Sequence, residues 1–229
     1  MGKAALVTSH YEFLALLHNL LQPRGYLEIG VQTGASLNLA ACPAIGVDPA
    51  PLVAARQGQQ IFAQTSDDFF AAEHHSEDLP PIDLAYIDGM HLFEFALRDF
   101  INIERWSHPG TVVVFDDVLP YNEAIAARIQ PPGDWTGDVW KVEEILRNER
   151  PDLDMAFADV SPTGALVIWN LDCTNDHLTR NYLEIEATYM PDIPPPQHYL
   201  DRSVATSVDV VLDRLAAVKV RPSNRRGTP

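Results

Sequence analysis

Positive charge is what this sequence has least of: 16 Lys plus Arg stand against 32 Asp plus Glu, a formal charge of −16. A field of that sign repels polyanions, so no nucleic-acid partner is expected unless basic residues cluster. They cluster only in the C-terminal "KVRPSNRRGTP", and its last ~10 residues read as a solvated, disordered end. Cysteine is scarce as well. Cys42 and Cys173 are the only two, and nothing around them asks for a bridge, so a reducing, cytoplasmic compartment is expected. No apolar run is long enough for a bilayer, and no basic patch precedes an apolar core, so neither membrane contact nor a secretory leader is expected. Internal repeats and long low-complexity tracts are missing too.

What remains is a chain of 229 residues, 46% hydrophobic, large enough to bury a substantial core. "HYEFLALLHNLL" carries Phe13, Leu16, Leu17, Leu20 and Leu21 at helical spacing and stops at Pro23 and Gly25. Strands then alternate with helical segments: "GYLEIG", "AIGVDP", "QIFAQTS", "IDLAYIDG" and "PGTVVVFDD" are the strands. "SLNLAA", "PLVAARQG", "DDFFAAEHH" and "HLFEFALRDFINIERW" are the helices between them. Several strands are apolar at consecutive positions, as a parallel sheet covered on both faces requires. After a loop with Pro131, Pro132 and Gly133, "DVWKVEEILRNE" is amphipathic, and "LDMAFADV" and "ALVIWN" follow with only "SPTG" between them. Four residues cannot hold a crossover helix, so that pair is an antiparallel hairpin.

The expected fold is therefore α/β and Rossmann-like: a seven-stranded sheet of five parallel strands plus a C-terminal antiparallel hairpin, with helices on both faces. Residues 1–171 form the main domain with its N-terminal helix. Residues 172–229 form an extension with a Pro-rich stretch and one more helix, "SVDVVLDRLAAV", and are a candidate homodimer contact.

In open α/β sheets ligands bind at the carboxyl ends of the strands. "LEIGVQTGAS" places Glu28 near the first strand's end and Gly30 and Gly34 in the turn after it, where a ligand can approach the backbone. The spacing is not the three-glycine dinucleotide pattern, which argues against a nicotinamide or flavin enzyme. The second strand ends on Asp48, twenty residues after Glu28, placed to accept both hydroxyls of a ribose or else to cap the segment that follows. Ser66 and Asp67, at the tip of the third strand, reach toward an adenine ring or cap a helix.

This ensemble resembles class I S-adenosylmethionine-dependent methyltransferases over roughly residues 8 to 170. The resemblance implies S-adenosylmethionine as cofactor, lying over the first-strand loop. Glu28, Gly30 and Gly34 then contact or shape its methionine end, Asp48 its ribose, and Ser66 and Asp67 its adenine.

Asp88 closes the fourth strand, and Asp116 and Asp117 close the fifth. Side by side they repel one another, and a hard divalent cation, Mg2+ or a similar ion, resolves that repulsion. Asp88, Asp116 and Asp117 are the expected metal ligands. The alternatives are a turn at Asp88-Gly89 and loop amides bound by the paired carboxylates. The pattern is similar to metal-dependent O-methyltransferases acting on macrolide and aminocoumarin sugars, and to small bacterial methyltransferases sharing "IDG-x-H" and a paired "DD". In the sugar enzymes the fourth strand ends Asp-Gly-Asp, the second aspartate being the proposed base. Here Asp88-Gly89-Met90-His91 is one residue longer, which makes His91, with Asp88, the candidate catalytic pair.

The adjacent His74 and His75 lack a partner at i+4 for zinc and are expected to be exposed. Trp135, Trp140 and "GDVWK" are candidates for apolar walls of a substrate pocket. No phosphate loop and no Ser-His-Asp arrangement is found. The expected activity is metal-assisted O-methylation of a small-molecule hydroxyl. A metal-independent methyltransferase on another acceptor atom, or a non-catalytic cofactor-binding or assembly protein on the same fold, stands as the alternative.

Overall fold

The computed structural model describes residues 8–72 and 79–219. His74, His75 and the basic tail beyond Lys219 lie outside the described residues. The chain opens with helix α1, His10–Leu21. Ser9 caps it reciprocally: its Oγ accepts from Glu12 N (3.2 Å) while Glu12 Oε2 accepts from Ser9 N (2.8 Å). The helix ends at Gln22 in the left-handed region (φ 49°), directly before Pro23.

Seven strands follow: β1 Tyr26–Ile29, β2 Ala44–Val47, β3 Gln59–Phe62, β4 Leu84–Ile87, β5 Val112–Asp116, β6 Asp154–Ala158 and β7 Ala165–Trp169. Between β3 and β4 lies α2, Ser66–Ala71; α3, Phe93–Arg105, precedes β5 and α4, Lys141–Glu149, precedes β6. The sheet order is β3-β2-β1-β4-β5-β7-β6. Strands β1 to β5 pair in parallel, and β7 runs antiparallel to both β5 and β6. The order reverses between β1 and β4, which opens a crevice at their carboxyl ends.

Because side chains alternate across a strand, each strand feeds two cores. Leu27, Ile29, Ile87, Val113 and Phe115 face α3 and α4 in one cluster. Tyr26, Tyr86, Val112 and Val114 face α1 in the other. That parity also assigns the polar residues of the strands. Glu28 shares a face with Tyr26, and Asp116 shares one with Val114.

Two expected helices are replaced. "PLVAARQG" is an irregular loop, since Pro51 withholds a backbone donor and Leu52 has nothing to pack against, being 74% exposed. "SLNLAA" tightens to a 3-10 turn, Leu37–Leu39, which Cys42-Pro43 cuts short. The extension holds three helices where one was expected: α5 His177–Tyr189, α6 Gln197–Leu200 and α7 Val208–Lys219. Helix α5 escapes a periodicity reading because it buries only Leu178 and Ile185. The extension packs into the main body. Leu178, Ile185 and Tyr199 enter the first core cluster, and Val208, Val211 and Leu215 enter the second. Among the described residues no helix is long and apolar enough to cross a membrane.

Candidate active site

A cavity of about 730 Å³ opens at the carboxyl ends of β1, β2, β4 and β5. One end is built on the loop after β1. Gly30 has φ +88°, and a Cβ there would sit 1.9 Å from the Asp88 carbonyl oxygen. Only glycine lets the β1 loop and the β4 tip approach so closely. Asp48 accepts three backbone donors, Val31 N (2.9 Å) and Gln32 N (2.7 Å) on Oδ2 and Ala50 N (2.7 Å) on Oδ1. It lines the cavity while fixing the loop's shape.

Glu28 and Gly34 are not among the lining residues. Glu28 is fully buried beneath the loop, accepting from Tyr26 Oη (2.7 Å) and Ser36 Oγ (2.8 Å). Burial pushes its pKa up to about 7, against the pull of those two hydroxyls. Its place is to shape the loop from below. Gly34 (φ +73°) packs against Val53.

Ser66 and Asp67 line the cavity. Asp67 is gripped by Arg98 through Nε (3.0 Å) and Nη2 (2.8 Å), and Arg98 also donates to Tyr182 Oη of α5 (2.9 Å). The extension thus braces this wall.

At the other end the carboxylates separate. Asp116, the last residue of β5, faces the α1 side and accepts from Tyr86 Oη (2.6 Å). Asp117 leaves the strand in the left-handed region, φ +61°, and its Oδ2 lies 3.2 Å from His91 Nε2. Asp88 Oδ1 lies 3.5 Å from the same nitrogen. Among the described residues, Asp88, His91 and Asp117 form one group whose ligand atoms all lie within 4.8 Å of one another. Asp116, expected as a ligand, is not in that group, and His91, expected as a base, takes its place.

His91 is held from behind: its Nδ1 lies 2.6 Å from the Trp135 carbonyl oxygen. With Nδ1–H donated there, the Nε2 lone pair faces the carboxylates, the tautomer a metal-ligating histidine requires. The loop carrying Trp135 is anchored by buried Asp138, which accepts from Phe93 N (3.0 Å), Arg128 Nη1 (2.6 Å) and Lys141 Nζ (2.8 Å). Gly137 has φ +51°, and His91 O sits where a Cβ would be, so only glycine fits there. Trp140 is a fully buried core residue and is not among those lining this cavity.

Burial pulls the His91 pKa down, but Asp88 and Asp117 outweigh it and lift it to about 9. Burial and the Asp116 charge push Asp117 up to about 6, His91 pulling the other way. Asp88 is pushed well above the usual carboxylate range by burial and by Asp116 and Asp117, against His91. Without a further cation the group answers its own repulsion by holding protons.

Sequence reading misses His10 and Tyr11 of α1 and Thr163 of the β6–β7 hairpin, all on the cavity wall. No motif marks them, because they arrive from segments remote in the chain.

Residues 27–118 match the family model of a methyltransferase domain. No curated protein matches the chain by sequence. Among solved structures it is similar to cofactor-bound Rv0187 from MTB, at 18% identity and TM-score 0.55, over 74% of this chain and 83% of that one. It is also similar to the O-methyltransferase from Bacillus cereus in complex with SAH, at 16% identity and TM-score 0.51, covering 74% and 84%. The O-methyltransferase TomG from Streptomyces achromogenes, involved in tomaymycin synthesis and in complex with SAM, has 18% identity and TM-score 0.52, covering 71% and 79%. Together with the strand order, these likenesses show the fold, that of class I S-adenosylmethionine-dependent methyltransferases, and the matched segment lies within its sheet.

Proposed function

We propose that this protein transfers a methyl group from S-adenosylmethionine to a hydroxyl oxygen of a small molecule, assisted by a divalent cation held by Asp88, His91 and Asp117. The observation that carries this reading is the three-residue group on the wall of the same cavity that runs over the β1 loop. Two carboxylates and an imidazole suit magnesium or manganese, the imidazole favouring manganese. Such an ion, when bound, makes a neighbouring hydroxyl more acidic and holds it in place.

The β1 loop, Asp48, and Ser66 with Asp67 are the candidate contacts for the methionine, ribose and adenine parts of the cofactor. SAM or SAH in two of the similar structures supports this assignment of the cavity. In the transfer, the acceptor oxygen bonds to the methyl carbon as the methyl–sulfur bond breaks. The electron pair returns to sulfur, giving S-adenosylhomocysteine, and the hydroxyl proton leaves to a base. With His91 engaged as a ligand, His10 is the other imidazole on the wall, its Nδ1 lying 3.3 Å from Ser161 O. The chain's contribution is alignment and charge placement.

A second reading rests on the raised pKa of His91 and its place between the two carboxylates: its imidazolium offsets one of the charges of Asp88 and Asp117, and the reaction needs no metal. Calorimetry decides. S-adenosylhomocysteine should bind at micromolar concentration, and Mn2+ or Mg2+ should bind to that complex. Failure of the cofactor to bind would overturn the whole reading, and turnover insensitive to EDTA would select the metal-free one.

A further inference from the structure

The wall that carries Ser66 and Asp67 has a second layer behind it. Arg98 of α3 divides its guanidinium among four acceptors. Nε donates to Asp67 Oδ1 (3.0 Å), Nη2 to Asp67 Oδ2 (2.8 Å), and Nη1 to Tyr182 Oη (2.9 Å) and the Glu94 carbonyl oxygen (3.4 Å). Tyr182 Oη in turn donates to Glu94 O (3.0 Å), with Glu186 Oε1 farther off at 3.4 Å, so a lone pair is left to receive Arg98. The same guanidinium carbon lies 4.4 Å from the centre of the Phe95 ring and 5.9 Å from that of Tyr182, a geometry that suits a planar cation.

What this layer presents to the cavity follows from those bonds. Phe95 and Asp67 both line it. Arg98 covers one face of the Phe95 ring, so the ring meets the cavity with its other face or its edge. Each oxygen of Asp67 gives Arg98 one lone pair and keeps another, and a carboxylate held by a guanidinium accepts without donating. Thr65, on the same wall, spends its hydroxyl proton on Asp68 Oδ2 (2.7 Å). The sector is a flat apolar surface with a carboxylate acceptor at its rim, the complement of a planar ring bearing an amino group. The Asp67 side chain is 46% exposed, and without the fork of Arg98 it would move among solvated rotamers. Fixed in advance, it loses less freedom when a donor arrives.

On the methyltransferase reading above, we propose that Arg98 is a positioning residue for cofactor selection: it sets Asp67 and Phe95 to select the amino group of the adenine ring, and Tyr182 of the C-terminal extension sets Arg98.

The test is calorimetric binding of S-adenosylhomocysteine and of its 6-deamino analogue, in which hydrogen replaces the purine amino group. The native protein should prefer the amino form by about tenfold or more, the scale of one hydrogen bond to a charged group. Arg98→Lys keeps the charge but loses the fork, and should shrink the preference below about threefold with the deamino analogue bound nearly as in the native protein. Tyr182→Phe keeps the ring and should shrink the preference in the same direction, and it serves where Arg98→Lys does not fold. Equal binding of the two ligands by the native protein, a preference undiminished in either variant, or a loss that falls on both ligands alike would overturn the proposal, the last marking Arg98 as a structural brace alone. With S-adenosylhomocysteine still bound by the native protein, such results sink the positioning role and leave the methyltransferase reading standing. If neither ligand binds the native protein, that reading falls and takes the positioning role with it.

Discussion

His91 Nε2 stands 3.2 Å from Asp117 Oδ2, although 25 residues lie between the two in the chain. The contact exists because β5 releases Asp117 into a left-handed turn while Asp116, one residue earlier, stays on the opposite face of the sheet. Adjacent aspartates thus reach different partners.

That division is directly testable. Asp117→Asn should weaken Mg2+ or Mn2+ binding by at least tenfold, since it removes a charged ligand, with S-adenosylhomocysteine affinity nearly intact. Asp116→Asn should change metal affinity by less than threefold. Metal titration of both variants checks it, and equal losses would return Asp116 to the ligand set.

His10→Gln should lower kcat by about 10²-fold, the lower end of general-base contributions, while leaving cofactor and metal affinities unchanged. A variant with native kcat would remove His10 from the chemistry.

Gly30→Ala combines a positive φ with a Cβ 1.9 Å from the Asp88 carbonyl. Strain of this kind costs about 1–3 kcal/mol for the dihedral alone, and the backbone clash adds to it. Urea denaturation should show the loss, and cofactor binding should weaken as the β1 loop is displaced. Gly58→Ala, at φ +83° with nothing within 4 Å, isolates the dihedral cost and should be the milder change.

His18 supplies a pH signature away from the site. Burial lowers its pKa from 6.5 to about 4, and its Nε2 has no hydrogen-bond partner. The unfolded chain takes up this proton below about pH 6.5, whereas the folded one resists until about 4, so the native state loses stability as pH falls through that window. The full shift is worth roughly 3 kcal/mol. His18→Leu should lack this loss, so its stability relative to the native protein should improve by about 2–3 kcal/mol between pH 7 and pH 4. A pH-independent difference would show that His18 is not held neutral.

Removing residues 172–229 should abolish folding. The deletion uncovers core now closed by Tyr199, Val211 and Leu215 and takes away the Tyr189 and Pro191 carbonyls that accept from buried Lys141 Nζ at 2.9 and 3.0 Å. Far-ultraviolet circular dichroism and cofactor binding by the truncated chain measure it; a soluble, cofactor-binding fragment would show that the extension is dispensable.

Much of the scaffold is legible in the chain. The apolar strand cores, the Pro-Gly boundary before β5 and the four-residue link between β6 and β7 are local signals, so alternation and loop length suffice to read five parallel strands and a hairpin. Helix α5 is illegible because it buries one narrow line of side chains, and "PLVAARQG" misleads because its composition suits a helix that has no surface to pack against.

The placement of Asp48, Asp88, Asp116 and Asp117 at strand tips follows from where the apolar runs stop, and the sequence alone determines it. Their partners do not follow. Whether a carboxylate meets Tyr86, His91 or a loop amide depends on pleat parity, on one left-handed residue and on a distant loop whose Trp135 carbonyl orients the imidazole. Those are through-space relations between segments that only folding brings together, and a one-residue shift across a strand reverses them.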